Sequence, residues 1–348
     1  MTTDIRVTAD TPITTDIRAR LRQATRSTWF RLTTRLVVGV GVLIVVIARV
    51  GTGPVLHGLV SIDARTIGVA LLLAAIATVA AAWRWRLVAA RLGVDIRWSI
   101  AIGRYYQSQF VNTVVPGGIV GDVHRAVAVG QGAENITQTA RSVAIERSAG
   151  QVVQLALAFI VLACFGAEFQ GYLLAALAIG LCVIVVALLI TAVMSARARR
   201  VLVREARELR AGLGSIRVSA QVAIASVIVI ACHVATFTIA TVAVGERVPP
   251  LQMLTLALVV LIGASIPLNI GGWGPREGIA GWAFALAGFG ASAGVAASTL
   301  FGVLTIISVA PGAIVTVVFA ARKRKRKRKA ITAAPALVLI ATNLEKTS

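Results

Sequence analysis

The chain has 348 residues, of which 57% are apolar and 14% charged, with a mean hydropathy of +0.86 and a formal net charge of +21. A soluble domain carries about 25% charged residues, so this composition excludes one and points to an integral membrane protein with many spans. The basic surplus does not imply nucleic acid: 27 of the 35 Lys and Arg fall in four blocks between apolar runs (1–35, 84–104, 195–217 and 322–329), as the positive-inside rule expects of cytoplasmic segments.

Taken in order, residues 1–32 read as a largely disordered cytoplasmic segment. Within them Ile17–Leu32 is an Arg-rich amphipathic stretch suited to the membrane surface. The transmembrane domain is expected over 33–321. Its first span covers Leu36–Val50 and its second Thr66–Trp83, where Trp83, Arg84, Trp85 and Arg86 read as a cytoplasmic interfacial belt. Trp98–Arg125 is too polar to face lipid on all sides and too apolar for a loop. Its Pro116-Gly117-Gly118 break predicts a re-entrant pair of half-helices. The third span runs over Val143–Ala167, with Glu146-Arg147 in its first turns, and the fourth over Tyr172–Met194.

Ser195–Arg217 reads as a cytoplasmic amphipathic helix and Val218–Val244 as the fifth span. His233, near the middle of that span, suits a hydrogen bond to a neighbouring helix better than catalysis. A sixth span starts at Pro250 and descends into the break Pro267-Leu-Asn-Ile-Gly271-Gly272-Trp-Gly274-Pro-Arg276-Glu277-Gly278. A short seventh segment, Ile279–Phe289, and an eighth, Ala296–Ala321, follow, the last with a kink expected at Pro311-Gly312. The fold class is therefore all-α: a polytopic bundle of about eight spans plus re-entrant or broken helices, with both termini cytoplasmic. Residues 322–348 form a basic cytoplasmic tail whose Arg322–Lys329 run favours anionic lipid.

Irregular backbone survives in hydrocarbon only inside protein or along a wet cavity, and paired interruptions point to a transporter's binding site. The two breaks share ingredients: Asn112 through Pro116, Gly117, Gly118 and Gly121 to Asp122 and Arg125, and Pro267 through Gly271, Gly272 and Gly274 to Arg276 and Glu277. Three acid–base sets, Asp122/Arg125, Glu146/Arg147 and Arg276/Glu277, sum to zero formal charge and can be buried together. In the functional reading Arg125 and Arg276 share a cavity with half-helix N-termini and grip a lipid phosphate. Asp122, Glu146, Arg147, Glu277 and Asn112 position them or accept protons. The other reading is a static ion-pair network that fixes helix register.

Other chemistries lack their residues. Every Lys lies at 323 or later, which leaves the bundle without a Walker A motif, and Gly272–Gly278 misses the dinucleotide spacing. Cys164, Cys182 and Cys232 lie in apolar runs without disulfide or metal spacing, and Asp122-Val-His124 alone is no metal site. No cofactor and no metal are expected.

The pattern N-x-x-x-P-G-x-x-x-G-D-x-x-R, then Glu146-Arg147, then P-x-x-x-G-G-x-G-x-R-E-G resembles the flippase-like membrane domain of lysylphosphatidylglycerol synthases over about residues 33–321. The family's usual Gly-Gly-Asp has Val120 in its first place here. The chain ends soon after the last span, as expected of a stand-alone member lacking the soluble synthase domain, so lipid aminoacylation by this chain alone is not implied. The resemblance implies a multi-pass cell-membrane protein that is not itself an enzyme. It would bind and translocate an anionic phospholipid or a polyprenyl-phosphate-linked glycolipid. Alternatives are a membrane subunit of a lipid-linked transferase, with Asp122 or Glu277 as general base, or a non-transporting scaffold for a lipid-modifying enzyme.

Overall fold

The computed structural model describes residues 63–114, 119–131, 135–165, 212–265 and 274–319, with isolated positions elsewhere. The expected first and fourth spans, apart from isolated positions, the terminal segments and most of the 195–217 helix lie outside the described residues. Eight helices and no strand occur among those described: α1 (Ala64–Arg91), α2 (Trp98–Val114), α3 (Val120–Gly130), α4 (Ile136–Phe165), α5 (Ile216–Ala243), α6 (Pro250–Ala264), α7 (Pro275–Leu286) and α8 (Ala291–Val309). Four are long and apolar enough to cross a membrane: α1, α4, α5, and α8 together with its continuation to Phe319. The bundle is therefore that of a helical membrane protein.

Local signals set the helix ends. Asp63 accepts the Thr66 amide at 2.8 Å and so caps α1, which satisfies one of the orphan N–H groups of a helix start. Those contacts with Thr66 hold the Asp63 carboxyl below its ordinary range. At the same end of the bundle Gly245 takes φ 92° after α5, and Pro250 opens α6 at its first position, the usual residue types for a stop and a start. Beyond α8 the helix is interrupted at Ala310, directly before Pro311, and resumes over 311–319.

The core is built around α6. Leu256, Ala257, Leu258, Val259 and Val260 are all buried there, so this short helix is surrounded by protein where the long helices are partly exposed. Phe237, Phe284 and Phe301 join α5, α7 and α8 by edge-on ring contacts of 5.6–6.1 Å. Small residues let backbones meet: a Cβ at Gly294 would overlap the Ala280 carbonyl, which explains how closely α7 and α8 pack. The exposed large residues of α1, α4 and α5, including Leu72, Ile76, Val152, Phe159 and Val227, suit contact with lipid.

Two sequence expectations change. Helix α4 begins at Ile136, seven residues earlier than Val143, so Glu146 lies about 15 Å along it and not in its first turns. Helix α1 continues past Trp83 to Arg91, which puts Arg84 and Trp85 inside the bundle at 7% and 0% exposure. The expected interfacial belt is thus half interior. Trp83 and Arg86 stay half-buried, and Arg86 lies 4.5 Å over the Trp98 ring.

Candidate functional site: a buried arginine cluster beside a polar cavity

Helices α2 and α3 are the two short pieces expected from the first break. Asn112 near the end of α2 accepts the Gly121 amide in the first turn of α3 at 2.7 Å and donates to Asp122 Oδ2 at 3.2 Å. Gly121 is needed because a Cβ there would overlap the Ser108 carbonyl. Asp122, held also by Ser108 Oγ at 2.9 Å, places its charge at the positive end of α3. The start of this helix is thus already supplied with a carboxylate.

From Asp122 an ionic chain runs through the bundle. Arg125 Nε lies 3.1 Å from Asp122 Oδ1, and Arg125 Nη2 donates to Glu146 Oε2 at 2.7 Å. Glu146 Oε1 accepts Arg84 Nε at 2.9 Å and the Tyr105 hydroxyl at 3.1 Å. Arg84 also donates to Ser226 Oγ of α5 at 2.9 Å. Arg147, its side chain 49% exposed, reaches Asp122 Oδ2 at 2.8 Å. Arg125 and Glu146 are both 0% exposed. Arg125 packs over the Trp85 and Tyr105 rings at 4.7 and 4.3 Å, and its Nη1 has no hydrogen-bond partner among the described residues. Trp85 in turn donates to Ser142 Oγ at 3.0 Å. Among the described residues, two carboxylates thus serve three guanidiniums.

A cavity of about 530 Å³ lies against this chain. Arg84, Arg147 and Asp122 are on its wall, with Tyr105, Ser108, Gln109 and Asn112 of α2, Gln151 and Gln154 of α4, and His233 of α5. Ala264 and Ser265, which end α6, and Phe301 of α8 also lie on it. Gln154 donates to Ser265 Oγ at 3.2 Å, so the residues leading into the second break reach the same cavity as the first. His233 Nδ1 is 2.7 Å from the Val229 carbonyl of its own helix, not bonded to a neighbouring helix as the sequence suggested.

The second motif makes a different site. Gly274 takes φ 107°, Pro275 opens α7, and Glu277 Oε2 accepts the Gly274 amide at 2.6 Å. Arg276 Nη2 pairs with Glu277 Oε1, and Arg276 Nε donates to Glu277 Oε1 and Ser298 Oγ, each at 3.0 Å. Both residues are buried, and Arg276 sits 5.3 Å over the Phe301 ring. Neither Arg125 nor Arg276 lies on the cavity wall. Asp122, Arg125, Glu146, Arg147 and Asn112 are brought together, whereas Arg276 and Glu277 pair with each other. Pro116, Gly117, Gly118, Pro267, Gly271 and Gly272 lie outside the described residues.

Arg84 is the member that the sequence reading missed. The signal was its setting, since Ala80, Ala81, Ala82, Val88 and Ala89 make that stretch of α1 a packing face. No group of three or more His, Cys, Asp or Glu placed to hold a metal occurs among the described residues.

The sequence model of one protein family, described as the lysylphosphatidylglycerol synthase TM region, matches residues 32–312. The comparisons with curated proteins and with solved structures find no match.

Proposed function

We propose, from the premise that this chain belongs to the lysylphosphatidylglycerol synthase TM-region family, that it binds the phosphate of an anionic lipid in the cavity and moves that lipid between leaflets. The family and the four long apolar helices make it a membrane protein related to lipid modification or transport. The finer reading is carried by one observation: among the described residues, three guanidiniums share two carboxylates beside a polar cavity, and two of the three, Arg84 and Arg147, are on its wall.

A phosphate offers planar guanidinium forks the paired acceptors they match. It also brings negative charge to a cluster whose described members hold one more cation than anion, where an unbalanced charge costs about 2.5–3.5 kcal/mol or more on insertion scales. Arg147, the most exposed member, turns from Asp122 to the phosphate, while Arg125 and the two hydroxyl and amide donors from α2 keep Asp122 in place. When the lipid leaves, Asp122 takes Arg147 back. Arg276, closed upon Glu277, holds α7 against α8 in this scheme, and the phosphate contacts fall to Arg84 and Arg147, with Arg125 behind them. As general bases in a transferase, neither acid stands open to a lipid hydroxyl: both Asp122 oxygens are occupied, and Glu277 is 1% exposed.

The basic blocks favour a cell-membrane orientation with both termini cytoplasmic. In sealed cells a cysteine introduced at position 247 should then be labelled from outside and one at 212 should not; the reverse pattern overturns the orientation. For the activity, purified protein in phosphatidylcholine vesicles should speed the crossing of a fluorescent anionic phospholipid without any co-substrate. Crossing no faster than in protein-free vesicles sinks the transport reading. A covalently altered lipid would point to the transferase.

A further inference from the structure

Helix α4 carries a glycine in the middle of its 30 residues. Glycine weakens a helix interior relative to alanine, and Gly150 has ordinary helical backbone, so no turn calls for it. Its reason lies across the helix interface. A Cβ at this position would lie 2.5, 2.8 and 2.9 Å from Nη1, Cζ and Nη2 of Arg84. The guanidinium therefore fills the space in which a side chain at 150 would begin.

Other close approaches in the bundle are of a different kind. A Cβ at Gly121, Gly294 or Gly312 would strike a backbone carbonyl, that of Ser108, Ala280 or Tyr106 respectively. Those glycines let helices touch, and a larger residue would force backbones apart. At Gly150 the obstacle is the charged end of a long side chain. The helices can stay where they are, and the ion is what must move.

That ion is held on two further sides. Arg84 Nε donates to Glu146 Oε1 at 2.9 Å, one turn before Gly150 on α4, and Nη2 donates to the same oxygen. Nη1 donates to Ser226 Oγ of α5 at 2.9 Å. Ser226 gives its own proton to the Val222 carbonyl at 2.7 Å, which leaves its oxygen to accept. Among the described residues these contacts use three of the five N–H donors of the guanidinium. One donor on Nη1 and one on Nη2 remain, and Arg84, Gly150 and Ser226 are all on the cavity wall.

We infer that Gly150 is a positioning residue of the anion site: its bare backbone seats the Arg84 guanidinium between Glu146 and Ser226, with the remaining donors turned to the cavity. This rests on phosphate binding in the cavity and adds the residue that fixes one of its two wall cations. A methyl group at 150 displaces the guanidinium from Glu146 or Ser226 and spoils the orientation of its fork. Recognition of phosphate by a planar group depends on that orientation as well as on charge.

The test is binding of a fluorescent phosphatidylglycerol to the purified full chain in mixed micelles, for Gly150→Ala, Arg84→Lys and the two together. Gly150→Ala should weaken binding at least about tenfold, the order of one charge-assisted hydrogen bond. Arg84→Lys keeps the cation as a compact ammonium with no planar group to seat, and Arg147 on the same wall keeps binding measurable. In that background Gly150→Ala should change affinity by less than about twofold.

A general loosening of α4 would lower affinity by the same factor in both backgrounds, and that result would overturn the inference. Unchanged or tighter binding by Gly150→Ala alone would do the same while leaving phosphate binding intact. Should Gly150→Ala fail to fold, adding Arg84→Lys should return folded protein, because the crowded group is gone. A double variant that also fails to fold would refute the seat. No saturable binding by the parent protein would remove the phosphate reading and this one with it.

Discussion

The two motifs of this chain both end in an arginine beside an acid, yet the bundle uses them in opposite ways. Around Asp122 and Glu146, among the described residues, three guanidiniums share two carboxylates, the ion pairs join three helices, and the outer members face a cavity. Around Glu277 one guanidinium meets one carboxylate on adjacent residues, Ser298 supplies a further contact, and the cavity wall is Phe301 instead of the ions themselves. A balanced, enclosed pair can fix how two helices pack. On the proposed reading, a cluster whose described members hold more guanidiniums than carboxylates offers an anion a place beside the cavity.

The sharpest break of that comparison is Glu146→Gln. It removes the acid shared by Arg84 and Arg125 and leaves two buried cations, so the variant should lose about 3–5 kcal/mol in thermal unfolding in detergent. A loss below about 1 kcal/mol would mean that water or lipid, not Glu146, balances the arginines. Arg147→Gln comes next. Its side chain is half exposed, so stability should hardly change, while affinity for phosphatidylglycerol should fall at least about tenfold, near 1.4 kcal/mol. Arg147→Lys should recover part of it, since the charge stays and the fork is lost. Unaltered affinity in Arg147→Gln would return the whole cluster to a structural role.

The smallest expected change belongs to the closed pair. Arg276→Gln alone should destabilise by about 3 kcal/mol, because it leaves Glu277 buried without its cation. Adding Glu277→Gln keeps an acceptor for the Gly274 amide and should bring stability back to within about 1 kcal/mol of the parent, as coupled neighbours do. The double variant should still carry lipid across vesicles. If it folds normally and carries none, Arg276 belongs to the phosphate path and the two motifs are functionally alike.

The all-helical membrane bundle was legible in the apolar runs and basic blocks, and the Asn112–Arg125 break resolved into two short helices as its Pro and Gly imply. Asp122, Arg125 and Glu146 were legible as a set because charges in apolar surroundings stand out. Arg84 was not: with Trp and Arg on both sides it carries the signature of a headgroup belt, and only its long-range pairing with Glu146, 62 residues away, separates the two cases. The division between an open and a closed cluster was equally hidden. Arg125/Asp122 and Arg276/Glu277 have the same local chemistry, and what distinguishes them is the position of α1, α4 and α5 around the first and of α8 around the second.

The length of the long helices bears on where such a bundle can work. They hold 28, 30, 28 and 29 residues, or about 42–45 Å each, against a hydrocarbon layer of about 30 Å. At a common tilt of about 20° they still rise about 40 Å, so roughly seven to nine residues of each must stand among the headgroups. That surplus is a reserve against hydrophobic mismatch. In a thicker bilayer the helices can stand more upright and draw their ends inward, so the bundle accommodates several ångströms of thickening without pulling its polar cavity out of register with the leaflets.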